Sequence, residues 1–210
     1  MMKSRGVVGV VLCGGESSRM GEDKAKLRIG ERAMVDHVVG ALSGACEEVV
    51  LACGTSPRYE DRGLKLVMDS SGGRGPLEGI ASCIEATQAE WALVLACDLP
   101  RVTPELPLSL LKRAQEEDLD VCLFESRRRR EPLMAAYRRT GLPAMRAALS
   151  SGRRRVDSFY ELEVDGERLK VGILRESELT QAARELDVAR NLNTPAELSS
   201  ERARFAGVAS

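Results

Sequence analysis

The sequence predicts an α/β fold in three layers, with helices on both faces of a mostly parallel sheet. Two observations carry that expectation. Short β-branched apolar runs alternate with segments whose apolar residues recur at helical spacing. The first of those runs, residues 7–13, breaks at a glycine pair and is followed by cations, as a buried strand leading into an anion-binding loop would be.

Residues 7–13 (VVGVVLC) are continuously apolar, the pattern of a strand covered on both faces. At Gly14-Gly15 the chain is free to take positive φ and to approach a ligand closely. Val35, Val38, Val39 and Leu42 fall at i, i+3, i+4 and i+7 and predict a helix. Residues 49–53 and 64–68 read as strands, the second ending at Asp69. A glycine-dense loop at 70–75 precedes Pro76, and Leu77, Ile80, Ala81 and Ile84 repeat the helical spacing. Residues 91–97 form a strand closed by Asp98-Leu99-Pro100, and Thr103-Pro104 reads as a cap with a first-turn proline, opening a helix through Leu108 and Leu111. The order so far is β, α, β, β, α, β, α. In such sheets ligands sit at the carboxyl ends of strands, so Gly14, Asp69 and Asp98 are expected on one rim.

The second half is less regular. Strands are expected at 120–125 and 133–137, flanking Arg127–Arg130, and a helix at 142–149. A further helix is expected to start within 151–162, with strands at 170–174 and 188–192. Thr194-Pro195-Ala196-Glu197 satisfies the capping box.

With 210 residues, no repeats and no linker, one domain is expected, with 1–103 as a nucleotide-binding half and 104–210 as an acceptor-side half. The formal net charge of −1 gives no global field for nucleic acid. Six cysteines without a C-x-x-C pair read as buried, reduced thiols. Lys3 and Arg5 precede an apolar run at the short end for a secretion signal, and no run reaches the ~20 apolar residues of a membrane span. A cytoplasmic location is therefore expected.

Two common phosphate loops are excluded by spacing: neither G-x-G-x-x-G nor G-x-x-x-x-G-K-[ST] is present here, since Gly21 is followed by Glu22. What stands from Leu12 to Lys24 is L-x-G-G-x-S-x-R-M-G-x-D-K, which resembles the signature loop of nucleotidyltransferases that join a nucleoside triphosphate to a phosphate-bearing acceptor. Lys24 and Arg19 would neutralise a triphosphate and the departing pyrophosphate, and Asp98 suits a hard cation such as Mg2+. Gly75, Pro76 and Leu77 open a helix where main-chain groups could read a base edge. Asn193 either touches acceptor phosphate or completes a turn. The runs Arg127–Arg130 and Arg153–Arg155, with only 3% aromatics in the chain, read as solvated faces or as contacts to a phosphorylated acceptor or acidic partner. His37 and Trp91 read as structural.

The loop from Leu12 to Lys24, together with Asp69, Gly75–Gly79, Cys97-Asp98-Leu99-Pro100 and Asn191–Pro195, resembles the MobA-type molybdenum cofactor guanylyltransferases. The resemblance implies a Rossmann-like nucleotidyltransferase fold of the nucleotide-diphospho-sugar transferase type. It implies transfer of GMP from GTP to the terminal phosphate of molybdopterin, with molybdoenzymes or their chaperones downstream. By position, Leu12, Cys13, Gly14 and Gly15 would hold the nucleotide, Lys24 phosphate, Asp69 the nucleoside, Asp98 both nucleotide and Mg2+, and Asn193 the molybdopterin side. A related branch uses CTP and carries alanine where this chain has Gly14. A relative that binds nucleotide without turnover is the alternative from another class.

Overall fold

In the computed structural model, which describes residues 4–14, 24–70, 75–127 and 129–208, the elements alternate much as expected. They begin β1 (Ser4–Leu12), β2 (Arg28–Ile29), β3 (Arg32–Ala33), α1 (Met34–Ser43), β4 (Cys46–Ala52), β5 (Lys65–Val67), α2 (Pro76–Thr87), β6 (Trp91–Ala96) and α3 (Glu105–Glu116). They continue β7 (Val121–Ser126), β8 (Arg129–Arg138), α4 (Leu142–Ser150), β9 (Glu163–Val164), β10 (Glu167–Arg168), β11 (Val171–Arg175), α5 (Gln181–Leu186) and α6 (Pro195–Val208).

Seven strands form one sheet in the order β11-β7-β8-β6-β1-β4-β5. β1 is parallel to both β4 and β6, and β5 is parallel to β4. β8 runs against both of its neighbours, so its first residues lie at the rim where the other six strands end.

The continuous apolar run of β1 is explained by what covers it. Val7 and Val11 pack in the core beneath α1, α3 and α5, with Leu42, Leu106 and Ala183. Val8, Val10 and Leu12 point the other way, against Leu77 and Ile80 of α2 and Met145 of α4. A third, smaller cluster joins Ile29 and Met34 to Leu192 and Leu198, docking α6 on the β2–β3 hairpin. Burying a leucine such as Leu192 contributes about 1.5–3 kcal/mol, enough to hold the end of the chain beside the start of α1. All six cysteines are free thiols and five are buried, while Cys97 is half-buried. Trp91 is core, and His37 places Nε2 3.2 Å from the Ile29 carbonyl with its ring edge-on to Phe205. No helix is long and apolar enough to cross a membrane among the described residues.

Four local expectations are corrected. Residues 188–192 are not a strand. Asp187 ends α5 at φ 56°, Val188 N–H returns to the Ala183 carbonyl, and the apolar residues fill core without entering a ladder. The stretch 151–162 holds a single 3-10 turn, Val156–Phe159, because Gly152 at φ 80° stops α4. Thr103 does not cap α3: Pro104 already has helical dihedrals, the Thr103 carbonyl accepts from Leu106 N–H, and the threonine hydroxyl is buried without a partner. Gly14 does not take a positive φ; its reason for being glycine is steric, as described next.

Candidate active site

The ends of β1 and β4 meet at glycines. The Cys13 and Gly14 N–H groups both donate to the Ala52 carbonyl at 2.9 Å, which extends the β1–β4 ladder past the strands. A Cβ on Gly14 would stand 2.7 Å from the Gly54 nitrogen and 2.9 Å from its Cα, so no other residue fits this crossing undisturbed. Gly54, at φ 70°, accepts a 2.8 Å bond from Asp69 N–H, which ties the end of β5 to the same point. Beside it opens a cleft of about 500 Å³ whose walls include Leu12, Gly14, Arg58, Asp69, Gly75 and Pro76. Five of the residues expected to bind nucleotide therefore share one cavity. The side chains of Cys13 and Leu77 lie in the core, leaving only their main chain toward the rim. Gly15 and Arg19 lie outside the described residues.

The wall formed by α2 is braced from behind. Gly75 takes φ 80° to start the helix, with Pro76 in its first turn. Glu78 is fully buried, and its Oε1 accepts from Ser70 Oγ at 2.6 Å, Arg146 at 2.7 Å and Ser82 Oγ at 3.3 Å. Burial pushes the Glu78 carboxyl up, but the Ser70 and Arg146 hydrogen bonds outweigh it and the net shift is downward. Asp69 is displaced upward by burial first and by the Glu78 carboxylate second, with Arg146 offsetting part.

On the other side of β1, Asp98 follows β6. Lys24 Nζ donates to Asp98 Oδ2 at 2.7 Å and to Asn193 Oδ1 at 2.9 Å. The Lys24 and Asp98 side chains are only 15% and 16% exposed, so this ion pair is shielded from solvent screening. Asp98 Oδ1 is buried with no hydrogen-bond partner, an acceptor left open to a hard cation. Among the described residues no group of three His, Cys, Asp or Glu could hold a metal.

Asn193 is held by the cap of α6. Glu197 Oε2 accepts from the Asn193 and Thr194 N–H groups at 2.7 and 2.9 Å, and Thr194 Oγ1 accepts from Glu197 N–H at 3.2 Å. The capping box forms as the sequence suggested, and Leu192 N–H reaches the Asp98 carbonyl at 3.1 Å. Replacing Glu197 by alanine is expected to cost about 1 kcal/mol and lower Tm by roughly 2–4 °C, read by thermal melting. An unchanged Tm would show that the cap does not hold this end of the chain.

Beyond Asp98 lies a second cavity of about 380 Å³, between the β7–β8 turn and the chain after α5, with Arg127, Arg129, Glu131, Arg190 and Asn191 on its walls. Burial raises the Glu131 carboxyl; the Arg129 charge opposes that and the nearby Asp98 carboxylate adds to it. Arg127 thus follows β7, while Arg129 and Arg130 open β8 at the rim where the other strands end; Arg128 lies outside the described residues. Arg155 of the other basic run pairs with Asp157.

Residues 9–166 match the MobA-like NTP transferase domain. The chain belongs to the MobA-like NTP transferase family. Within that family it is 34% identical to a protein named probable molybdenum cofactor guanylyltransferase from Pelotomaculum thermopropionicum, over 92% of this chain and 91% of that one. It is 29% identical to the molybdenum cofactor guanylyltransferase of Shewanella halifaxensis, over 72% and 77%. Its fold is that of molybdopterin-guanine dinucleotide biosynthesis protein A from Archaeoglobus fulgidus, with a TM-score of 0.78 at 23% identity over 95% and 99% of the two chains.

Sequence reading of this MobA-like chain assigned no role to Arg58, Glu131 or the Glu78–Arg146 brace. Arg58 lies in no motif. Glu131 and Arg146 reach the site only through strand order and helix packing, which no local spacing encodes.

Proposed function

We propose that this protein transfers GMP from GTP to the terminal phosphate of molybdopterin, with release of pyrophosphate. The observation that supports it most is Lys24, whose ammonium touches both Asp98 and Asn193, between the cleft beside Gly14 and the cavity beside Glu131. In this reading the nucleoside lies in the β4–β5 cleft against Asp69, with Leu12, Gly14, Gly15 and Gly75–Leu77 around it. The triphosphate crosses Gly14 toward Lys24, and the acceptor phosphate enters beside Asn193. The first half of the chain supplies the nucleotide side and the second half most of the acceptor side.

An acceptor phosphate oxygen attacks the α-phosphorus in line, and the bond to the bridging oxygen breaks with its electron pair leaving on pyrophosphate. No covalent enzyme intermediate is needed, because positioning and charge neutralisation carry such transfers. Lys24 and Arg19 compensate the negative charge. Asp98 holds the divalent ion, Mg2+ in this proposal, which when bound adds further charge neutralisation at the phosphates. The product passes to molybdoenzymes or their chaperones in the cytoplasm.

Thermal-shift titration with GTP, CTP and ATP in the presence of Mg2+ tests the nucleotide. A ligand at a hundredfold excess over its Kd stabilises by about 2.7 kcal/mol, and GTP is expected to give the largest shift. A response to CTP alone would overturn the guanylyl assignment. Binding of GTP without pyrophosphate release when molybdopterin is supplied would overturn catalysis.

A further inference from the structure

Arg190, in the chain between α5 and α6, holds a donor that the fold does not use. Its Nε is buried and has no hydrogen-bond partner among the described residues. A charged donor withdrawn from water and left unpaired is costly, and an acceptor arriving with a ligand accounts for it. The nearby carboxylates are occupied or too far. Arg190 Nη1 stands 3.9 Å from Asp187 Oδ2, beyond hydrogen-bond length, and Arg127 Nη2 reaches the same oxygen at 3.9 Å. Glu197 Oε2 already accepts the Asn193 and Thr194 N–H groups, and Glu131 faces Arg129 at 3.5 Å.

The backbone that presents Arg190 is fixed. Its N–H donates to the Asp187 carbonyl at 2.9 Å, closing a turn, and Val188, Ala189 and Leu192 around it are buried. Arg190 stands on the wall of the 380 Å³ cavity. In the strand order β7-β8-β6-β1-β4 that cavity opens beside β7 and β8 and the nucleotide cleft beside β1 and β4, with Lys24 and Asp98 between them. Glu197 links Arg190 to Asn193. Its carboxyl is held low chiefly by the Asn193 N–H bond, with the Arg190 charge adding to that, and it lines the same cavity.

We propose that Arg190 binds the phosphate of the acceptor, donating Nε–H and one Nη–H to two of its oxygens. This rests on the GMP-transfer reading given above and deepens it by naming a group that holds the acceptor. The guanidinium fork is rigid, carries donors only and matches two oxygens of a phosphate. A terminal phosphate has three such oxygens, so two held by Arg190 leave the third to attack the α-phosphorus beside Lys24. The positive charge also eases the approach of one phosphate dianion to a triphosphate. The same fork would take a β- or γ-phosphate of the nucleotide. The cavity lies beyond Lys24 from the cleft, which favours the acceptor.

The test is calorimetric titration of the full chain with molybdopterin and with its dephosphorylated form, and separately with GTP and Mg2+. Wild type is expected to prefer molybdopterin to the dephosphorylated form by at least about tenfold, the scale of one charge-assisted paired contact. Arg190→Met is expected to narrow that preference about tenfold while leaving the affinity for the dephosphorylated form and for GTP unchanged. A purely structural arginine would weaken both pterins alike. Arg190→Lys retains the charge without the fork and is expected to lose most of the same preference, which keeps the test decisive should the methionine variant fold poorly. Variants that keep the wild-type preference overturn the proposal, as does a wild type indifferent to the phosphate. A loss of GTP affinity with the molybdopterin preference intact would assign Arg190 to the nucleotide and overturn it too. If wild type with GTP and molybdopterin releases no pyrophosphate, the GMP-transfer reading falls and this proposal with it. If wild type turns over and the variants bind both pterins as it does, only the assignment of Arg190 is lost.

Discussion

Replacing Asp98 by asparagine is expected to lower turnover by about 10²–10³-fold, the scale seen when one preorganised electrostatic group is removed from a transition state. Asparagine keeps the shape and one acceptor but removes the charge that faces Lys24 at 2.7 Å. It also replaces part of a carboxylate whose Oδ1 is buried without a partner. The fold should survive, because the Leu192 N–H bond to residue 98 goes to the main-chain carbonyl and is untouched. Two measurements check this: pyrophosphate release with GTP and molybdopterin, and Mn2+ binding followed by paramagnetic resonance in the presence of GTP. Turnover near the wild-type rate would remove Asp98 from the chemistry, whatever its effect on binding.

Gly14→Ala is expected to damage stability and binding together. The added methyl would meet the Gly54 nitrogen at 2.7 Å and its Cα at 2.9 Å, and both are backbone atoms with no rotamer to move into. The ends of β1 and β4 must separate, which costs about 1–3 kcal/mol as overpacking. For a chain of this size that is a Tm drop of roughly 3–10 °C. Because Gly54 also anchors Asp69 N–H, the cleft wall shifts with it, and affinity for GTP should fall at least about tenfold. A variant that melts like wild type would mean the crossing has more room than its distances allow.

The parts of the molecule legible in sequence are those specified by short-range pattern. The helix at α1 follows from valines and a leucine at helical spacing, and β1 from a continuous apolar run. The capping box at Thr194 forms because both partners lie within three residues. Asp98 and Lys24 were marked by separate motifs, and the placement of ligands at the carboxyl ends of strands was enough to expect Asp98 on the rim that carries the Gly14 loop, where Lys24 meets it. Residues 188–192 failed for the opposite reason: Val188, Ala189 and Leu192 are apolar to seal core, and a short apolar run does not say whether it pairs. The reversed direction of β8 is equally silent, since a strand buried among parallel neighbours has the same composition either way. Nothing local to Glu78 marks its partner, because Arg146 lies 68 positions later in the chain.

Lys24, Asp98 and Asn193 have a consequence for biogenesis. The lysine is 74 residues from the aspartate and 169 from the asparagine it contacts. During synthesis the lysine and the aspartate emerge well before the asparagine. Until Leu192 and Asn193 have been added, Lys24 lacks its Asn193 contact and Asp98 lacks the Leu192 bond that closes over it. Termination between the end of β11 and Leu192 would leave all seven strands of the sheet present but not this polar triad.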